Sequence, residues 1–298
     1  MNTTKYKLSI ALLLLLCSVK GADAQIVPLK SQFFENNVHI NPANVGAKEV
    51  GQAALTYSSQ WSAFDGSPKI MSGNIHTPLS KRAGVGLSIM NDKAGLISRT
   101  TVFGAYSYKV PFNDRTAIRF GLATGFLSDK IMAGDANIRN GSAEVALNNY
   151  NNKQEQLFKV GIGALFTSDK WEGQLAWHDL TRRSSSALKT VDHPGLTASV
   201  AYKLSLTDSA SFVKPLLGVR QINGLSSYFD MGLNASYHDV VDFTALYHTN
   251  KTFTLGAGLN YKKDLKMVFL YSTGLPDNAS ITGGAFELSL LVPFRLIK

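Results

Sequence analysis

The chain has 298 residues, 45% hydrophobic, 10% aromatic and 17% charged, with 30 Lys and Arg against 21 Asp and Glu for a formal net charge of +9. Its one cysteine, Cys17, lies in an N-terminal leader, so the exported chain excludes disulfides, zinc-thiolate sites and cysteine nucleophiles. The basic residues are scattered, which argues against a nucleic-acid partner and suits turns near anionic lipid headgroups and a hydrated lumen.

Residues 1–24 carry Lys5 and Lys7, an apolar run from Leu8 to Cys17, and Ala22-Asp23-Ala24. That is the charged, apolar, small-x-small order of a signal peptide. Cleavage between Ala24 and Gln25 is the expectation, because Leu16 stands where a lipoprotein signal needs a small residue before its cysteine. Loss of Lys5, Lys7, Lys20 and Asp23 takes the formal charge from +9 to +7. No later stretch reaches 18 uninterrupted apolar residues, so a membrane-spanning body must be a closed barrel of strands.

Residues 25–49 form a polar N-terminal segment containing Asn41-Pro42-Ala43. Asparagine can bond its own backbone and proline fixes φ, so the triplet predicts a bend before the first strand. Two roles stay open for the segment, a plug in the periplasmic mouth or a contact for a periplasmic partner.

From Val50 to the end, period two dominates, and residues 50–298 are expected to form the barrel. Phe158, Val160, Ile162, Ala164 and Phe166 alternate with Lys159, Gly161, Gly163, Leu165 and Thr167, one face for lipid and one for a lumen. The contrast recurs at Leu196 to Leu204, Phe229 to Tyr237, Leu255 to Tyr261 and Phe286 to Phe294. About fourteen antiparallel strands are expected, over 50–59, 69–78, 82–91, 98–110, 115–128, 157–168, 171–180, 195–206, 211–222, 226–237, 241–250, 252–262, 265–274 and 282–294.

An even count leaves both barrel ends on the periplasmic side, with short turns inside and longer loops outside. The turns fall near Leu79–Lys81, Phe112–Asp114, Ser168–Lys170, Thr207–Ala210, His238–Val240 and Lys263–Asp264. The loops include Gln60–Pro68, Asp92–Ile97, Asp129–Gln156, Thr181–Pro194 and Leu275–Ile281; the third, rich in Asn, reads as a solvated loop or a binding loop. A soluble β-sandwich also alternates. Small and glycine residues on the second face and aromatics near strand ends, such as Tyr106, Tyr202 and Tyr261, favour the membrane barrel.

No catalytic, cofactor or metal residue is expected. The six histidines show no metal-ligand spacing, and no serine sits in a Gly-x-Ser-x-Gly elbow. His178-Asp179 and His238-Asp239 are adjacent pairs, and strand neighbours point to opposite faces, so turn roles suit them better than a dyad. Gly84/Gly86, Gly161/Gly163 and Gly256/Gly258 lack the lysine or helix start of a phosphate loop. At period two within strands they either clear side-chain volume from a lumen, leaving space for water, a plug or a peptide, or accommodate strong curvature.

One ordered set of residues is more specific. Ser31 and Gln32 precede Asn41, Pro42, Ala43 and Gly46; Gln60, Trp61, Phe64, Gly66, Pro68 and Lys69 follow; then come Pro78, Leu79, Asn91, Asp92 and Gly95. This series resembles the N-terminal signature of the PorP/SprF family of outer-membrane proteins, with Phe33 and Asn44 where a tyrosine is common. The resemblance implies a non-enzymatic outer-membrane component of the type IX secretion system and of gliding motility, assisting secretion, surface attachment or anchoring. It also implies partners, namely periplasmic ring components and a secreted adhesin bearing a C-terminal sorting domain, and makes the motif residues candidates for partner binding. The alternative is a channel for hydrophobic solutes resembling the long-chain fatty acid transporters, which share a fourteen-stranded barrel and a plug with an Asn-Pro-Ala motif.

Overall fold

A computed structural model describes residues 32–60, 66–132, 154–181, 195–206, 210–222, 227–262, 264–273 and 283–295. Its strands are β1 (Gly51–Ser59), β2 (Lys69–Pro78), β3 (Ala83–Ala94), β4 (Ile97–Pro111), β5 (Ala117–Ile131), β6 (Gln154–Thr167) and β7 (Trp171–Trp177). There follow β8 (Gly195–Tyr202), β9 (Leu204–Ser205), β10 (Phe212–Ile222), β11 (Tyr228–Tyr237), β12 (Val241–His248), β13 (Thr252–Tyr261), β14 (Leu265–Ser272) and β15 (Ala285–Phe294). Segments β8 and β9 are one stave interrupted at Lys203, because both pair with β10 in a single register.

Every stave pairs antiparallel with its neighbour in sequence, and β1 pairs with β15 from Gly51↔Phe294 to Ser59↔Phe286. The sheet is therefore a closed barrel of fourteen staves. Closure gives every strand two partners, so no row of unpaired amides meets lipid.

Alternation sets the two surfaces. Leu55, Met71, Leu87, Phe120, Phe126, Phe158, Leu217 and Leu255 project outward and are exposed, while Thr56, Ser72, Asn74, Lys159, Arg220, Asp242 and Glu287 are buried inside. An exterior so apolar would aggregate in water. Against acyl chains it is the favourable arrangement, and the polar residues have a lumen to share.

Two expectations are corrected. Asp92–Ile97 is not a loop: β3 continues to Ala94, β4 starts at Ile97, and Asp92 pairs with Arg99. Gly95 takes φ +57° in the tight connection, so glycine's freedom at positive φ permits a turn that polar composition made look longer. The second correction is β7, which stops at Trp177 rather than residue 180. Here Asp179 instead accepts from the Thr181 amide at 2.9 Å and starts a turn.

The short turns match expectation at Leu79–Lys81, Phe112–Asp114, Ser168–Lys170 and His238–Val240. At the opposite end, lengths vary, since β12 and β13 are separated only by residues 249–251. The loop expected at 129–156 is shorter, since β5 runs to Ile131 and β6 starts at Gln154; the rest of it and the loops expected at 181–194 and 275–281 lie largely outside the described residues.

Candidate functional site

The N-terminal segment runs inside the barrel, touching inward-facing residues on opposite walls. Two short 3-10 turns, Asn37–His39 and Pro42–Asn44, shape it. The Asn41 carboxamide oxygen accepts from the Ala43 amide at 2.9 Å, with proline at the first helical position. This is the cap and N1 proline expected of such a turn. The Asn41 Nδ2 donates to the Ala164 carbonyl at 2.9 Å, and Asn44 Nδ2 to Gln174 Oε1 at 2.8 Å. Ser107 Oγ donates to the Val45 carbonyl, and the Gly46 amide donates to His76 Nδ1 at 3.3 Å. Residues 41–46 are thus fastened to β2, β4, β6 and β7.

Glycines make this seat possible. A Cβ at Gly121 would lie 2.2 Å from the Ala43 nitrogen and 2.4 Å from the Pro42 carbonyl carbon. One at Gly163 would lie 1.9 Å from Asn41 Oδ1, and one at Gly84 2.5 Å from the Val45 oxygen. Gly46 has φ +61° and its Cβ would meet Gly84 Cα at 2.6 Å. Glycine at 46, 84 and 121 admits backbone where a side chain would exclude it, and at 163 it admits the Asn41 carboxamide.

Residues 32–40 are held differently. Phe33 is buried against Ala201, Leu216 and Leu246, with Phe34 and Ile40 packed beside it. The Arg220 guanidinium stands 5.6 Å from the Phe33 ring centroid, within cation–π range. Glu35 pairs with Lys266 at 2.6 Å, and Lys266 also pairs with Asp242 at 2.5 Å. Gln32 Nε2 donates to Glu287 and, at 3.3 Å, to Ser289.

Asn74 Nδ2 meets His39 Nε2 at 3.1 Å; an amide nitrogen only donates, so His39 accepts there and is neutral. Burial pushes its pKa down to about 4. Burial also lowers the Lys48 ammonium, ahead of opposing attraction to Glu35.

The two halves differ in how completely they are bonded. Gln32 Oε1, Asn36 Nδ2, Asn36 Oδ1 and Asn37 Oδ1 find no hydrogen-bond partner among the described residues, and neither do Ser72 Oγ, Asn74 Oδ1 and Arg220 Nη1 on the wall. Between Asn41 and Gly46 no such atom occurs.

Charge pairs line the rest of the lumen. Arg220 donates to both carboxylate oxygens of Asp230 at 2.6 Å, Lys159 pairs with Asp179 at 2.5 Å, and Arg99 with Asp129 at 2.7 Å. His178, just beyond β7, bonds Thr197 Oγ1 at 3.0 Å and is likewise pushed to about 4 by burial. Asp230, His248, Thr254 and Ser272 follow one another at 2.5, 3.1 and 2.7 Å. That order resembles a nucleophile relay, yet the Thr254 hydroxyl is fully buried and Arg220 holds the carboxylate of Asp230.

The motif residues separate into two places. Gln32, Asn41, Pro42, Ala43 and Gly46 lie within the barrel, and Pro78 flanks Gly46, with its Cα 3.2 Å from the Cβ position there. Gln60, Gly66, Pro68, Lys69, Asn91, Asp92 and Gly95 gather at the loop end. There the Gln60 amide donates to the Pro68 carbonyl at 2.9 Å, the Gly95 amide to the Gly66 carbonyl at 2.9 Å, and Asn91 Nδ2 to Thr100 Oγ1 at 2.9 Å. Ala24, Gln25, Ser31, Trp61 and Phe64 lie outside the described residues. Sequence reasoning did not single out Glu35, Gln174, Asp242, Lys266 or Glu287. Glu287 had a signal, a lone acid on the inward face of the apolar last strand.

A family model described as Type IX secretion system membrane protein PorP/SprF matches residues 22–292. No curated protein sequence matches significantly. Among solved structures, the CymD monoaromatic hydrocarbon channel is similar with a TM-score of 0.55 and 11% identity, covering 93% of this chain and 95% of that one. A Pseudomonas aeruginosa FadL homologue is similar with a TM-score of 0.50 and 13% identity, covering 87% of this chain and 94% of that one. At such identities the likeness concerns the fold, an outer-membrane barrel.

Proposed function

The chain belongs to the PorP/SprF family of type IX secretion system membrane proteins, and from that premise we propose that it is a non-enzymatic outer-membrane component assisting secretion, surface attachment or anchoring of a partner such as an adhesin with a C-terminal sorting domain. Periplasmic ring components are the partners at the turn end. Export after cleavage between Ala24 and Gln25 belongs to the same reading, as does service to gliding motility.

The observation that supports it most is the placement of the family signature. Asn41, Pro42, Ala43 and Gly46 are built into the lumen, and Gly66 and Gly95 meet at the loop end. A barrel whose signature fixes an internal segment at one end and shapes loops at the other is suited to docking at both ends. The solute-channel alternative fits less well, since Lys159, Asp179, Arg220, Asp230, Asp242 and Lys266 line the interior. Moving a hydrophobic solute past buried charges forfeits the transfer energy that would draw it in.

The test compares cells lacking the protein with cells complemented by it. Loss of sorting-domain proteins from the cell surface, with no uptake of hydrophobic solutes by the purified barrel in liposomes, is the expected result. Unchanged surface display together with solute uptake would reverse the assignment.

A further inference from the structure

We propose that the inner wall formed by β8, β10, β12 and β14 is an acceptor site for a peptide carrying an aromatic side chain and a carboxylate, a site that the chain's own Phe33-Phe34-Glu35 fills in cis. The proposal concerns a binding property of the barrel and does not depend on the secretion reading.

The wall supplies three complementary features. Ala201, Leu216 and Leu246 form an apolar cup for one ring, and Gly218 lies beneath it, where a Cβ would stand in ordinary contact at 3.5 Å. Arg220 covers the ring from the polar side. Lys266, held by Asp242, offers its ammonium to a carboxylate at 2.6 Å. Aromatic plus acid is the chemistry that this combination selects.

The present occupant leaves groups unmatched on both sides. Arg220 is only 7% exposed, yet its Nη1 has no partner among the described residues, a buried guanidinium donor facing an occupant that gives it no acceptor. On the occupant, Gln32 Oε1 and both polar atoms of Asn36 are also unpaired. Residues 41–46, by contrast, leave no buried side-chain polar atom unpaired and are held by the glycine seat. The segment is thus anchored at one end and incompletely hydrogen-bonded at the flanks of Phe33 and Glu35 at the other, with the Asn37–His39 turn between them. An incoming peptide with better-matched flanks exchanges with residues 32–36 while residues 41–46 and the barrel stay in place.

The test uses the full-length protein in lipid nanodiscs and a fluorescent synthetic peptide of sequence Gln-Phe-Phe-Glu-Asn-Asn, that of residues 32–37. Glu35→Gln and Phe33→Ala each weaken the cis competitor while leaving the acceptor intact, so each should bind the peptide at least tenfold more tightly than the parent. Replacing both phenylalanines or the glutamate in the peptide should cost at least tenfold. Adding Lys266→Gln to Glu35→Gln should remove the gain. Gln32→Cys with Ser289→Cys, joined by a short reducible thiol linker, should bind only after reduction. Equal binding to parent and variants, equal binding of a scrambled peptide, or undiminished binding to the linked form would each overturn the proposal. Heat-modifiable gel mobility confirms assembly, and should Phe33→Ala fail to assemble, the near-isosteric Glu35→Gln carries the test alone.

Discussion

At the scale of single residues, the interior is governed by what is missing from glycine and by what is withheld from histidine. Gly121→Ala places a methyl 2.2 Å from the Ala43 nitrogen, a backbone atom that cannot rotate away. Overpacking of this kind costs about 1–3 kcal/mol, and the cost falls on the seat of the segment rather than on barrel pairing. The expected outcome is normal heat-modifiable mobility with residues 32–46 newly open to protease. Gly104→Ala, where the nearest atom is 4.0 Å away, should change neither. His39 adds a pH dependence. Its seated pKa is held near 4 by burial and its free value is about 6.5. Above the free value both states are neutral and the seat is unaffected. As pH falls from about 6.5 to about 4, only the unseated form gains a proton, and the seat loses up to roughly 3 kcal/mol before the loss levels off. Protease accessibility of the segment should therefore rise across that window. His39→Gln should flatten part of the rise, with His178 contributing its own share to the barrel.

At the scale of elements, one proline explains the broken stave. Lys203 donates its amide to Lys170 across the β7 side at 2.7 Å, so Tyr202, one residue earlier, faces β10. The common register of β8 and β9 places Pro215 opposite Tyr202, and proline has no N–H to return. The ladder is interrupted there without change of register. Pro215→Ala restores the donor and should join β8 to β9, a gain of about 0.5–1.5 kcal/mol for one hydrogen bond. A higher midpoint in denaturant unfolding from lipid is the measurement. Such a break was readable in principle from Pro215, which sits inside a strand that alternation predicts as continuous. Most staves were legible because each carries its own period-two pattern, and a lipid face tolerates little polarity. The Asp92–Ile97 correction shows where composition misleads, since Asn and Asp near a glycine signal a loop unless cross-strand partners such as Arg99 claim them. The lumen was legible only as polar: Gln32 meets Glu287 across 255 residues of sequence, and no local signal encodes that pairing.

At the scale of the whole molecule, the barrel and its internal segment make separable demands, and two experiments divide them. The lipid-facing register is tested by Ile162→Arg against Thr167→Arg. Ile162 is 43% exposed on the outer face, where an arginine near the bilayer midplane costs about 2–4 kcal/mol, whereas Thr167 alternates with it onto the hydrated side. Assembly should fail far more in the first variant, and equal folding of both would count against the register. The internal segment is tested by replacing Asn41-Pro42 with Ala-Ala. These residues contribute nothing to the lipid face, so the barrel should still assemble. The seat, however, loses the cap to Ala43 and the bond to Ala164, together worth about 1–3 kcal/mol, and the fixed φ of proline. Freed residues must be reordered whenever the segment is needed in place, at roughly 1–2 kcal/mol each. If the internal segment serves docking of the secretion apparatus, surface display of the sorting-domain adhesin should fall while barrel abundance holds. Normal display with a normal barrel would reduce the motif to a structural bend, and a gain of hydrophobic solute uptake would move the protein toward the channel reading, because the same loss of seat would then have opened a path rather than broken an interface.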